Sequence, residues 1–477
     1  MPDRVVRYGG LLFHAGFLLT LAAVVLVSVY SPEILIFIPL GLVSLAMGIL
    51  LFRHERINFV IWLGGFALLL SSDEGYQIHE VLYGLYFYAY LLYWYAERLL
   101  VSKRAFVRGP VDVAVALWIV LGVLLGGMLG LIFGAPITGI RNEVLVLSVL
   151  AIYFPIKEYC LNEQRGALTV LALIAWLGIF VTIDNSLTAL SVFRSAEHLW
   201  EIADVRIAGR ELTLTFSATL LLAFIPTSKS WKHTILAGTT LIVTLAGLLV
   251  TKSRTFWVAL LIAISILIIL APPRERRRLI FGCLSGVTIL LLVGLVFLGE
   301  YFQLVWTGLT NRFSSIGSAY SDVSLINRFV ETDKVFSHIS ANPVIGHGLG
   351  SEFSFFNLIH LQTVTTNYIH NSYFAVWFKL GLWGCLIVLF TWLSVVYKSL
   401  AASVKSPASD TVRALARGVV ACLVCMTLPV YTSSVFFEDE KIGAFALVAA
   451  LGVGIFQRSR LLEHKLQRDF TGNDHLK

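Results

Sequence analysis

Stretches of roughly 16 to 22 residues with almost no charge return along nearly the whole chain. About 20 consecutive apolar residues in a helix cross a ~30 Å hydrocarbon layer, so each stretch is long enough to span a bilayer or nearly so. Charged residues make up only 14% of the 477 positions and apolar residues 57%. An ordinary soluble domain carries about 25% charge, so composition excludes a soluble fold, a disordered chain and a disulfide scaffold. The runs are continuous rather than alternating, which argues against a transmembrane barrel.

The pattern predicts an all-α polytopic membrane protein with about 14 (12–14) transmembrane helices. The expected spans are 9–30, 33–52, 57–71, 77–96, 112–134, 143–157, 167–187, 211–226, 234–251, 255–271, 279–299, 370–397, 418–436 and 442–457. The run Gly9 to Tyr30 is too long for the apolar core of a cleaved leader and reads as the first span. Basic loops face the cytoplasm. Setting Pro272-Pro273-Arg274-Glu275-Arg276-Arg277-Arg278 inside also places the basic loops 98–108, 227–233 and 398–417 inside, with both termini cytoplasmic. The net charge of +7 thus points to membrane orientation, not to nucleic acid. Four regions result: an N-terminal bundle at 1–299, a large outer loop with short helices at 300–369, C-terminal spans at 370–457, and a basic tail at 458–477. A second long outer loop covers about 188–210. Loops of such length are usually functional.

Chemistry has few places to sit. Cys422 and Cys425 form a C-x-x-C inside an apolar run and read as small apolar filler. There is no P-loop, no Asp-x-Asp and no His-Glu-x-x-His. The run Gly346-His347-Gly348-Leu349-Gly350, just after Asn342-Pro343, reads as a flexible loop turn. Arg254 stands at the outer mouth between two apolar runs, where it either snorkels to the interface or grips a phosphate bidentately. Arg328, beside Asn327, sits near the start of an expected amphipathic helix whose apolar side is Phe329, Thr332, Phe336 and Ile339. His370, followed by Asn371, marks where the long loop re-enters the membrane. It is either a helix-capping residue or a proton carrier working near neutral pH. Gly381 and Gly384 share a face and would permit close helix packing. Asp184, Arg194, Glu197, His198, Glu201, Asp204 and Arg206 read as a solvated rim, and Arg210 enters a span directly, where it could face a cavity. Asp73 and Glu74 occupy a short outer loop.

The segment His370 to Gly384 has the form His-Asn, nine residues, Gly, two residues, Gly. It resembles the O-antigen ligase and polysaccharide polymerase superfamily of bacterial membrane glycosyltransferases. Ser253-Arg254 resembles that family's outward-facing arginine, and Arg328 followed by Asn342-Pro343-Val344-Ile345-Gly346-His347-Gly348 resembles its large-loop arginine and the stretch after it. The resemblance covers about 200–400 in detail. It implies an inner-membrane enzyme that acts on the periplasmic face without metal or cofactor. The donor would be a glycan on undecaprenyl diphosphate, and the acceptor another lipid-linked glycan or lipid A-core. It further implies His370, Arg254 and Arg328 as catalytic residues, and Arg210, Asn371 and Asn327 as substrate-binding ones. Membrane lipids and a possible chain-length regulator are the expected partners. A polymerase is favoured over a ligase. The rivals are a lipid-linked oligosaccharide flippase and a glycosyltransferase using Asp73 or Glu74.

Overall fold

The computed structural model describes residues 55–69, 78–163, 165–195, 209–298, 307, 310, 323–405 and 407–473. It divides into two units, Met1–Ala105 and Phe106–Lys477. The first unit contains α1 (Glu55–Leu69) and α2 (Ile78–Ala96). Their contact is aromatic: Trp62 stacks on Phe87 with centroids 5.3 Å apart, and its Nε1 donates to the Phe87 carbonyl at 3.3 Å. The expected spans 9–30 and 33–52, together with Asp73 and Glu74, lie outside the described residues.

In the second unit every expected span from 112 to 457 has a helix. These are α3 (Pro110–Ile132), α4 (Ile137–Asn162), α5 (Gly166–Ser195), α6 (Glu211–Phe224), α7 (Trp231–Val250), α8 (Arg254–Leu270) and α9 (Pro273–Leu298). The segment before the next span then supplies α10 (Val323–Ala341) and an antiparallel hairpin of β1 (Phe353–Asn357) and β2 (Gln362–Thr366). After it come α11 (Ser372–Lys405), α12 (Asp410–Cys425), the short α13 (Thr427–Thr432) and α14 (Asp439–Asn473). Among the described residues, seven helices are long and apolar enough to cross a membrane, and α6 and α8 are shorter apolar ones. The protein is a helical, multi-pass membrane protein, and the hairpin is a small departure from the all-helical expectation. Residues 458–473 continue α14 rather than forming a separate tail.

The core is set by α6, buried from Glu211 to Ala223. It packs against α5, α7, α8 and α12, while α14 packs against α4 and α11. Most buried hydroxyls in proteins find a partner; on this helix two are satisfied by its own backbone, while Ser217 Oγ is buried without one among the described residues. Thr215 and Thr219 donate to the carbonyls of Glu211 and Thr215, four residues back, at 2.8 and 2.7 Å.

One feature of α11 shapes the end of the bundle at which it begins. Gly381 has φ +67 and ψ −169, which breaks the helix in two. A break leaves carbonyls unpaired at the end of the first half and N–H groups unpaired at the start of the second. The segment 342–350 satisfies them. His347 N and Gly348 N donate to the carbonyls of Phe378 and Lys379 at 2.7 and 2.9 Å, and Leu382 N donates to those of Pro343 and Val344 at 3.1 and 3.2 Å. Gly346, Gly348 and Gly350 all take positive φ. A side chain at Gly348 would strike the backbone of Gly130. The glycine run is therefore a packed plug, not the flexible turn its composition suggested. Gly381 serves the break and the close passage of Val344 rather than helix–helix packing, and a Cβ at Gly384 would meet only Leu380 of its own helix.

Candidate functional site

At one end of the bundle the starts of α6, α8, α11 and α14 gather beside the turn after α13. Thr213 N, in the first turn of α6, donates to Glu440 Oε1 of α14 at 3.0 Å. Ser372, fully buried at the start of α11, donates through Oγ to the Ser433 carbonyl and accepts from Val435 N, both at 2.5 Å. Tyr373 OH donates to the Thr427 carbonyl at 3.3 Å, and α8 packs against α13. The expected span 418–436 thus ends early: the helix stops at Thr432, and residues 433–438 form the turn that holds this end together.

His370 stands just before α11, with its side chain 37% exposed. Its imidazole lies between two neighbours. On one side is Glu331 of α10, whose Oε2 is 2.7 Å from Nδ1, while its Oε1 accepts the His370 backbone N–H at 2.7 Å. On the other is the Tyr368 ring, edge-on with centroids 4.9 Å apart. Tyr368 OH donates to Glu438 Oε1 at 2.8 Å. Burial, and then the Glu438 carboxylate, push that phenol well above its ordinary pKa, so it stays a proton donor. Lys441 closes the group, with Nζ 2.6 Å from Glu438 Oε2 and from Ser433 Oγ.

α10 is the amphipathic helix the spacing predicts, but with a different buried side. Asn327, Glu331, Val335 and Ile339 are buried, whereas Phe329 and Phe336 are about half exposed. The reason is polar: Asn327 Oδ1 accepts Leu358 N of the hairpin at 2.8 Å, and Glu331 clamps His370. Arg328 is partly buried on the same helix, one turn before Glu331. Asn371 caps α11, its Oδ1 accepting from the N–H groups of Tyr373 and Phe374 at 3.0 and 3.3 Å. Arg254 is the first residue of α8 and partly buried. Arg210 precedes α6 in a left-handed conformation, φ +56, and forms an ion pair with Asp184 of α5. Its charge also acts on Asp439 at the start of α14.

The sequence reading overlooked Glu331, Tyr368, Glu438 and Lys441. It also overlooked the buried pair of Lys379 in α11 and Glu143 in α4. Among the described residues no group of three or more His, Cys, Asp or Glu side chains could hold a metal ion. The remaining rim residues 197, 198, 201, 204 and 206 lie outside the described residues.

Residues 239–389 match the family model described as O-antigen ligase. Over this stretch the chain is similar to the O-antigen ligase family, whose members are membrane enzymes. The matched stretch contains Arg254, Arg328, Glu331, the glycine plug, His370 and the break at Gly381, whereas Arg210, Glu438 and Lys441 lie outside it. No curated protein matches the chain.

Proposed function

We propose that the protein is a glycosyltransferase using glycan carried on undecaprenyl diphosphate, acting on the periplasmic face of the inner membrane. In this reading it polymerises O-antigen or exopolysaccharide units rather than ligating finished chains to lipid A-core. The observation that carries the reading is His370, half-exposed at the start of α11 and bonded to α10, the helix that bears Arg328. An imidazole beside a guanidinium-bearing helix suits a reaction in which a hydroxyl loses a proton and a diphosphate gains charge.

The acceptor hydroxyl oxygen bonds to the anomeric carbon while the bond from that carbon to the diphosphate oxygen breaks. The electron pair of the broken bond leaves on the phosphate. The hydroxyl proton passes to His370 and then to solvent. Arg254 and Arg328 hold the diphosphate and gain strength as its charge grows, which lowers the barrier. Arg210, Asn327 and Asn371 complete the substrate-binding set. The two asparagines spend Oδ1 on backbone N–H groups and keep Nδ2 for the sugar.

Removing one such charge-stabilising group costs on the order of 10²–10³ in kcat. His370→Ala, Arg254→Ala and Arg328→Ala should each reduce glycan transfer by at least that much while membrane insertion stays normal. Normal polymer from all three would overturn the assignment. Glycan profiling of a deletion strain separates the acceptors: loss of long chains alone marks a polymerase, and loss of all glycan on the lipid anchor marks a ligase. Passage of labelled lipid across reconstituted vesicles, with no new glycosidic bond, would instead mark a transporter.

A further inference from the structure

The imidazole of His370 has two nitrogens, and its neighbours treat them differently. Nδ1 faces Glu331 Oε2 at 2.7 Å. The same carboxylate, 1% exposed, reaches back with Oε1 to the His370 backbone N–H at 2.7 Å. An ionised carboxylate only accepts hydrogen bonds, so the nitrogen facing it must carry the proton. The ring cannot turn freely to exchange its nitrogens, because the Tyr368 ring stands against it and Tyr368 is itself tied to Glu438.

We infer that Glu331 is a positioning residue that holds the His370 imidazole in its Nδ1–H tautomer and leaves Nε2 as the proton acceptor. This rests on the proposed reaction for its chemical consequence, and it chooses between two roles. A lone pair at Nε2 takes the proton of the acceptor hydroxyl as that oxygen bonds to the anomeric carbon. An imidazolium gripping the diphosphate would need a proton there instead. Glu331 also stabilises the imidazolium formed after transfer, since its charge lies against Nδ1–H. The ionisable groups around the ring are Glu331 and, one turn away, Arg328 on α10, then Tyr368, with Glu438 and Lys441 behind it. Of these, Glu331 alone bonds to an imidazole nitrogen among the described residues.

The test uses the full chain in lipid nanodiscs with ¹⁵N-labelled histidine, the His370 signals being assigned by their loss in His370→Gln. The expected wild-type spectrum shows a protonated Nδ1 and a bare Nε2 in the neutral ring. In Glu331→Gln the tautomers should mix. The parallel assay uses lipid-linked glycan extracted from the producing strain. General bases contribute about 10²–10⁴-fold. Glu331→Gln should therefore lower kcat by at least about tenfold and hold donor KM within about twofold. Glu331→Asp should recover part of the loss. An unchanged tautomer in Glu331→Gln would overturn the inference. So would a donor KM raised about tenfold at constant kcat, which marks His370 as an anion binder. The spectrum is read without turnover. A correct tautomer alongside normal polymer from His370→Ala would therefore sink the proposed reaction while leaving the pairing in place.

Discussion

Asn371 has a structural task that the structure shows and a chemical one that the proposed reaction would give it. Its Oδ1 caps α11, a service worth about 1 kcal/mol, and aspartate caps equally well. Asn371→Ala should therefore lower the unfolding midpoint slightly. Asn371→Asp should keep that midpoint yet, in the proposed reaction, weaken donor binding several-fold, because it removes the Nδ2 donor offered to the sugar. Thermal unfolding in detergent and donor titration separate the two effects. Ser372 next to it is internal, and Ser372→Ala removes its bonds to the Ser433 carbonyl and to Val435 N at a cost of about 1 kcal/mol each, while Val435 N keeps its bond to the Ser433 carbonyl. His370 stands out in the sequence because its spacing to Gly381 is distinctive, and the structure adds only that Glu331 of α10 holds it. Glu331 itself does not stand out. An acidic residue on an amphipathic helix is ordinarily solvated, and its partner is 39 residues away. The signal that could have found it is the four-residue stripe Asn327, Glu331, Val335, Ile339, which competes with the more conspicuous Phe329 and Phe336.

At the level of elements, the lesson lies in α11 and the glycine plug. Read along the chain, Gly381 and Gly384 suggest a smooth packing face, and 346–350 suggests slack. Neither reading anticipates that the loop's N–H groups and carbonyls belong to a broken helix some thirty residues later, since backbone pairing leaves no trace in residue type. The glycines can nevertheless be told apart by substitution. Gly348→Ala meets both a positive φ and the Gly130 backbone, and should abolish stable accumulation in the membrane. Gly286→Ala in α9 meets nothing within 4 Å and gains helix propensity of up to about 1 kcal/mol, so its level should equal or exceed wild type. Quantitative immunoblotting of membrane fractions checks both.

Across the whole molecule, each apolar run expected from 112 to 457 coincides with a helix, because a bilayer imposes length and hydropathy directly, although the last helix runs on to Asn473. What the runs could not show is how the segment between α9 and α11 is fastened to the bundle. That fastening centres on Lys379 and Glu143. Glu143 pairs with Lys379 and accepts Gly350 N at 2.8 Å and Asn367 Nδ2 at 3.3 Å, and Lys379 Nζ donates to the Asn367 carbonyl at 2.8 Å. Both side chains are buried, so stranding one charge costs about 3–5 kcal/mol. Lys379→Met should thus lower the unfolding midpoint sharply, and Lys379→Met with Glu143→Gln, which removes the stranded charge and keeps an acceptor for Gly350 N, should recover part of the fall in a thermal-shift assay. The plugged break in α11 carries a dynamic consequence too. The amides of His347, Gly348 and Leu382 are locked by reciprocal bonds between the same two segments, so solvent deuterium can enter them only when the segments part together. They should exchange at one shared rate, as slowly as amides buried within the bilayer, while the hairpin tip beside them labels within seconds.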